Sequence, residues 1–433
     1  MKKMRFNMTW LTVLITLGIL LIGGEVCAAT YSTGTGIPAD PYQISTVADW
    51  TTLMSTPADW NKCFLLTSDI DFGGADLTPV GNETTPFTGV FDGHGHVLRN
   101  GNISLPRASY VGLFGYVRET GQIFNLGVEN VAVSGSTYVG GLAGYSMGTT
   151  TSCYTTGPVT GSDAGNYGIG GLVGNLTMGT IQSCYATGAV TGSDFVGGLV
   201  GDITVGMVSS CSASGAVSGA EYTGGLAGIN SSATISFCYA TGTVSGTGNV
   251  AGGLVGMNTG NITSCYARGS VTGHNDVGGL IGQHSSSNAL FSCYSTGLVT
   301  GTEYLGGLVG PNSTPMSSAS CWDRDRSGQS TSGVGEARTT DEMTYPYATN
   351  TYVGWDFALV WATDTVGDIN DGYPYLRNCA GPPAEAQQGC GCGRAAAKNL
   401  SFKELFQRGL GDWLLTGLSL GFLAVYASMR QQP

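Results

Sequence analysis

Between Gly140 and Gly310 the chain repeats a glycine doublet followed by an apolar pair and a third glycine. These GGLVG, GGLAG or GGLIG copies begin at Gly140, Gly170, Gly197, Gly224, Gly252, Gly278 and Gly306. Between successive doublets runs a second signature, SCYATGAVTG at Ser183, with close copies at Ser152, Phe237, Ser264 and Ser292. Cysteines recur at Cys153, Cys184, Cys211, Cys238, Cys265, Cys293 and Cys321. Doublets lie 26 to 30 residues apart and cysteines 27 to 31 apart. A fixed period of this length limits the chain to stacked copies of one supersecondary unit.

Within a unit the apolar residues follow no helical period, and short β-type runs alternate with glycine-containing turns. One unit therefore suits one coil of a parallel β-solenoid, stacked on the next at about 4.8 Å, the strand spacing of a sheet. Alternate side chains of a strand point to opposite faces. In CYATGAV, Cys184, Ala186, Gly188 and Val190 form the small apolar set expected inside, and Tyr185, Thr187 and Thr191 face out or into turns. The outward column then reads Tyr154, Tyr185, Ser212, Tyr239, Tyr266, Tyr294 and Trp322. Leu142, Leu172, Leu199, Leu226, Leu254, Leu280 and Leu308 are expected to stack inside. The doublet glycines permit a bend there that parity alone does not locate.

Composition narrows the partners. With 71 glycines and 11% charged residues among 433, the chain is neither an average globular enzyme nor a charged disordered chain. Its formal net charge of −12 and scattered cations exclude a nucleic-acid partner, because phosphate binding needs clustered Lys and Arg.

The repeat resembles the GLUG motif, named for its GGLVG-like core and found in bacterial surface and secreted proteins, often adhesin-like ones. DPYQIST at Asp40, FLLTSDIDFGG at Phe64 and PFTGVFDGHGHVLRNGNI at Pro86 are similar to the lead-in coils of such proteins. CWDRDRSGQSTSGVG at Cys321, GWDF at Gly354 and DGYPYLRN at Asp371 resemble a closing coil. The resemblance implies an all-β parallel β-solenoid (β-helix) of coils about 27 residues long. Its lead-in coils span residues 30–139, its GLUG-type repeats 140–320 and its closing coil 321–378. The motif is specific for architecture and nearly silent about activity; the expected role is a non-catalytic adhesin, ligand-binding or spacer module, exported to the cell surface or secreted.

Both termini read as targeting segments. Residues 1–29 resemble a secretory signal peptide: Lys2, Lys3 and Arg5 precede an apolar run from Trp10 to Ile22, and Ala28 lies at the cleavage site. Residues 379–412 form a linker containing Cys390-Gly-Cys392-Gly. Residues 413–433 hold an apolar helix, Trp413 to Met429, and a short tail ending past Arg430. As a helix that run spans about 26 Å, short for a membrane crossing but within range. Motif, helix and basic end resemble a C-terminal envelope-sorting tail, with Cys390 and Cys392 as the processing residues and the helix as a membrane anchor before processing. Two cysteines without further ligands nearby fall short of a tetrahedral metal set.

Candidate chemistry is sparse. Asp194, Glu221, Asn249, Asn275 and Glu303 share a position three residues before the doublet, as turn formers or as oxygen ligands for calcium. DGHGH at Asp92 places His94 and His96 on one face without a third ligand, and DTVGDINDG at Asp364 loosely resembles a calcium loop without its distal Glu. No cofactor is expected, calcium being the single candidate. The rival function is a polysaccharide-acting lyase or hydrolase on a β-helix scaffold, which needs acids or bases gathered on one face. The candidate ligand-binding residues are Tyr154, Tyr185, Tyr239, Tyr266, Tyr294 and Trp322, whose stacked rings suit surface glycans or proteins of a host or neighbouring cell. The same stacking also stabilises a sheet without any ligand.

In-register cysteines one coil apart carry parallel side chains, an orientation unsuited to a disulfide. Thiol titration of denatured, unreduced protein is therefore expected to find the repeat cysteines free, and near-complete oxidation would contradict a packed ladder.

Overall fold

A computed structural model describes residues 31–162, 167–285, 289–310 and 318–381. The sequence-predicted leader with Ala28, the Cys390 and Cys392 motif and the apolar run from Trp413 lie outside these residues. Among the described residues no helix is long and apolar enough to cross a membrane.

The chain winds into a β-solenoid whose walls are four parallel sheets of 15, 11, 8 and 8 strands. One coil shows the path. Asp194–Gly197 pairs along the first 8-stranded wall, and Val200–Ser209 lies in the 15-stranded wall. Ser212–Ala213 lies in the 11-stranded wall and Val217–Gly219 in the second 8-stranded wall. Residues one period apart are paired in register: Val159 with Val190, Val190 with Val217, Val217 with Val244. The expected Leu column, Leu142 to Leu308, is fully buried.

The doublet marks a corner. In the Gly170 copy the strand Ile169–Gly170 ends there and the next begins at Val173, so the chain bends at Gly171 and Leu172. A Cβ on Gly170 would sit 2.0 Å from the Val173 carbonyl oxygen, and one on Gly171 2.2 Å from that of Gly198. The corner is thus too tight for any side chain, which explains why the pair is glycine in every copy.

A second corner precedes each repeat cysteine. Ser152, Ser183, Ser210, Phe237, Ser264 and Ser292 all adopt left-handed backbone with φ of 52° to 55°. That turn leaves the following cysteine N–H without a carbonyl on the neighbouring coil, and the next thiol fills the role. The Cys153 N–H donates to Cys184 Sγ, Cys184 to Cys211 and Cys238 to Cys265, each at 3.4 Å. Each thiol in turn donates to the carbonyl two residues before it, as Cys184 Sγ does to Gln182 at 3.1 Å. The described cysteines are all free and buried. Burial pushes the thiols of Cys153, Cys211, Cys238 and Cys265 up, which keeps them protonated. The column is a hydrogen-bonding rail as well as a space filler.

Two sequence expectations fail at the end of the repeats, for one reason. Cys321 pairs with Tyr294 and Trp322 with Ser295, so the last strand sits one residue out of the expected phase. Ser320 takes the cysteine rung, accepting the Cys293 N–H at 3.1 Å through its hydroxyl. Trp322 therefore points into the bore, 4% exposed, and is not an outward ring. Cys321 stands in the tyrosine column instead.

Both ends of the solenoid are dressed. Near the start, helix Val47–Ser55, held by a Thr46–Asp49 capping box, sets Trp50 5.7 Å from Phe91 and 6.3 Å from Phe114. At the far end Cys321–Asp323 and Glu336–Arg338 extend the 11-stranded sheet. Residues 339–381 then leave the coil path and fold back as a strap along the 11-stranded wall.

Replacing Cys211 with Ala removes the acceptor for the Cys184 N–H and is expected to cost about 1–3 kcal/mol. Cys211→Ser should lose less, because Ser320 already performs this task at the last rung. Urea midpoints check the order, and an Ala variant as stable as the Ser variant would contradict the rail.

Candidate functional site

The outward tyrosine column exists, but most of it is closed. The strap buries Tyr239, Tyr266 and Tyr294 completely. Tyr266 and Tyr294 stack on their column neighbours at 5.0 Å, and Trp361 lies 6.2 Å from Tyr266 and 5.9 Å from Tyr294. The Tyr294 hydroxyl donates to the Pro374 carbonyl and accepts from Asn370. These three tyrosines, expected to be ligand-binding, are the strap's docking surface, and the physical reason is burial of their apolar rings against Trp355, Trp361 and Tyr373.

Several departures from the repeat consensus serve this strap. Arg268, where other copies carry Thr or Ser, pairs with Asp371 and Asn370 and lies 5.6 Å from the Tyr373 ring. The buried Asp323 carboxylate accepts from the Asp325 and Arg326 N–H groups and from the Thr340 and Tyr373 hydroxyls. Ser212, the column's one serine, donates to the Ala380 carbonyl at 2.6 Å, while Cys379 Sγ reaches the Cys211 carbonyl. Residues 379–381, read from sequence as linker, thus still belong to the strap.

Tyr154 and Tyr185 remain half-buried, with rings 4.8 Å apart and 3° from parallel. The Tyr154 hydroxyl donates to Glu129 Oε1 at 2.6 Å, and burial with this carboxylate raises its pKa.

A different aromatic cluster, unanticipated by the sequence reading, stands on the corner between the 15-stranded wall and the doublet wall. Tyr110 and Tyr138 stack at 5.2 Å and 6°. Tyr116 and Tyr145 stack at 4.6 Å and 21°. The two stacks meet edge to face, Tyr110 to Tyr145 at 5.9 Å and Tyr138 to Tyr145 at 5.7 Å. All four rings are partly exposed. Tyr167, exposed, sets its edge 5.2 Å from Tyr138. The signal was legible: Tyr110, Tyr138, Phe195, Tyr222 and Tyr304 all fall two residues before a doublet or its Gly112 counterpart.

Both stacks stop at the same coil. The Tyr116–Tyr145 column continues as Asn175 and Asp202, and the Tyr110–Tyr138 column meets Gly168 before resuming at Phe195. A Cβ at Gly168 would lie 2.1 Å from the Gly174 carbonyl oxygen, so no ring fits that rung. Asn175 Nδ2 donates to Asp202 Oδ2 at 2.8 Å, and the Thr177 hydroxyl donates to Asn175 Oδ1 at 2.8 Å. Burial pushes the Asp202 carboxyl up to about 6, against the lowering effect of the Asn175 bond.

The remaining sequence candidates resolve into structure. His94 occupies a left-handed turn, its N–H donating to Asp92, and His96 Nδ1 lies 3.1 Å from Asp69. Asp364 spends its carboxylate on the backbone N–H groups of Gly367, Asn370 and Gly372. Asn249 donates to Glu221 and Asn275 to Asn249, making the column before the doublet an amide ladder. Among the described residues no group of three or more His, Cys, Asp or Glu is placed to hold a metal ion.

Comparison with known proteins places this geometry. The GLUG motif matches residues 165–191 and 219–245. Halomucin of Haloquadratum walsbyi is 36% identical over 163 residues, 35% of this chain and 2% of that protein. A protein of Evansella cellulosilytica described as a Gly-rich membrane protein is 30% identical over 162 residues, 34% of this chain and 18% of that one. The shared stretch is thus a small part of each relative. A Bacteroides ovatus crystal structure described as an immunoglobulin A1 protease covers 80% of this chain and 95% of its own at TM-score 0.47 and 23% identity. At that score the likeness bears on neither activity nor substrate.

The raised Asp202 pKa has a stability consequence. The native carboxyl, near 6, holds its proton more tightly than the unfolded one, near 3.9, so the native state gains below about pH 4 and loses this as pH rises through 6. The loss approaches about 3 kcal/mol at neutral pH. Asp202→Asn is therefore expected to be more stable than the parent by about 1–3 kcal/mol at pH 7.5, with the gap closing near pH 4. Paired denaturation curves at the two pH values measure it, and a pH-independent gap would contradict the burial of this carboxyl.

Proposed function

We propose that the chain is a non-catalytic, exported β-solenoid displayed at the cell surface, sealed along one side and binding ligand along the other. The observation that carries this reading is the asymmetry of its aromatic columns. The strap covers Tyr239, Tyr266 and Tyr294, while the tyrosine cluster around Tyr145 stays open to solvent. The names of the two curated relatives, a halomucin and a membrane protein, agree with an envelope setting. Export would begin with cleavage after Ala28, and the Cys390 and Cys392 motif with its apolar helix would hold or process the carboxyl end.

Catalysis on polysaccharide is the weaker reading. Glycoside hydrolysis needs two carboxyl groups facing one bond. Asp202, the acid whose environment is most perturbed at the open cluster, owes its raised pKa to burial, against the lowering effect of the Asn175 bond, with no second carboxyl contributing.

Intact cells expressing the full chain, treated with proteinase K, should lose solenoid antigen while a cytoplasmic marker survives. Serine at both Cys390 and Cys392 should release antigen to the medium or trap it before processing. Antigen that persists until lysis would overturn surface display.

A further inference from the structure

A stacked ring spends its faces on its neighbours, so a tyrosine ladder offers an aromatic face only where it ends. Toward the repeats both stacks of the open cluster end at the same coil. Tyr145 stacks on Tyr116, and the next rung of its column is Asn175, whose short side chain is 4% exposed. The step from a tyrosine to a buried asparagine makes a ledge. Asp202 lies on the next rung, Tyr138 and Tyr167 stand on the doublet side, and Thr177 and Thr204 hydroxyls lie 3.4 Å apart on the other.

The same two coils depart from the rest of the solenoid in independent ways. Their strands in the 15-stranded wall, Val173–Gln182 and Val200–Ser209, are unbroken ten-residue runs with register shifts between Leu176 and Gly179. Irregular register of this kind re-aims side chains and collects near working surfaces. The doublet interval that contains Tyr167, Gly140 to Gly170, is also the longest of the series.

We infer that this ledge is a pyranose-binding subsite for a neutral glycan, with Tyr145 as the stacking platform and Asp202, held in place by the buried Asn175 amide, as the hydrogen-bonding edge. The assignment rests on the open side being the binding face proposed above. Its chemistry is a flat apolar ring face beside hydroxyl, amide and carboxyl groups, the complement of a sugar's C–H face and its hydroxyl edge. The charged groups that act on this cluster are of both signs, Arg118 5.8 Å from Tyr116, Glu83 near Tyr110, and Asp202 itself, so it favours no strongly charged ligand. A hydroxyl donating to Asp202 also offsets the carboxylate's desolvation as the sugar covers it.

Affinity electrophoresis of the purified protein through gels cast with soluble cellulose derivative, mannan or galactan tests the site without reference to cell display. At least one neutral polymer should retard the parent. Tyr145→Ser and Asp202→Asn should each weaken retardation about tenfold, the latter with a fold kept intact by its near-isosteric side chain. Tyr154→Ser, on the other wall, should change nothing. No retardation by any of the three polymers, equal retardation of Asp202→Asn and Tyr145→Ser with the parent, or retention on polylysine alone would each overturn the assignment. Failure here with proteinase-sensitive antigen on cells would remove the sugar site and leave surface display standing.

Discussion

Parallel backbone hydrogen bonding between residues one coil apart is the constraint on which everything else in this protein depends. Once Val159, Val190, Val217 and Val244 are paired in register, every position of the coil becomes a column, and each column must tolerate a copy of itself about 4.8 Å away. Valine and leucine tolerate it by packing. Glycine is forced at the doublet because the corner brings backbone within about 2 Å of any added Cβ. Cysteine fits a third column because its thiol both donates to its own coil and accepts the N–H of the coil before it.

The same rule makes aromatic columns both stabilising and limited. Parallel rings at 4.8 to 5.2 Å consume one another's faces, so a long tyrosine ladder is a good wall and a poor receptor. On the 11-stranded wall this leaves a run of apolar rings at Tyr239, Tyr266 and Tyr294, and the chain covers that run with its own strap. Each aromatic ring fully buried there contributes about 1.5–3 kcal/mol. On the corner between the 15-stranded wall and the doublet wall the ladder is short and interrupted by Gly168 and Asn175, and among the described residues no strap covers it.

Much of the fold was legible because it is periodic. The coil length and the inward Cys, Ala and Val positions follow from spacing and strand parity, the Leu stack was expected from its recurrence at the doublet although parity did not locate the bend there, and the structure bears them out. Trp322 was misplaced because the interval from Cys293 to Cys321 looked regular. The true rung is Ser320, a residue whose hydroxyl replaces the thiol and which carries no signature of its own. The strap was illegible for a deeper reason: Arg268 and Ser212 are single departures from a consensus, and their partners Asp371 and Ala380 lie more than a hundred residues away. The Tyr110, Tyr116, Tyr138 and Tyr145 cluster had a readable period, but three of its four rings sit before the first full doublet, in sequence that resembles lead-in coil.

The central claim, that one aromatic side is sealed and the other open, is tested most directly by hydroxyl-radical footprinting of the folded protein read tyrosine by tyrosine. Tyr110, Tyr145 and Tyr167 should be oxidised readily, while Tyr239, Tyr266 and Tyr294 stay protected until the protein is denatured. Comparable oxidation of both groups in the native state would contradict the account.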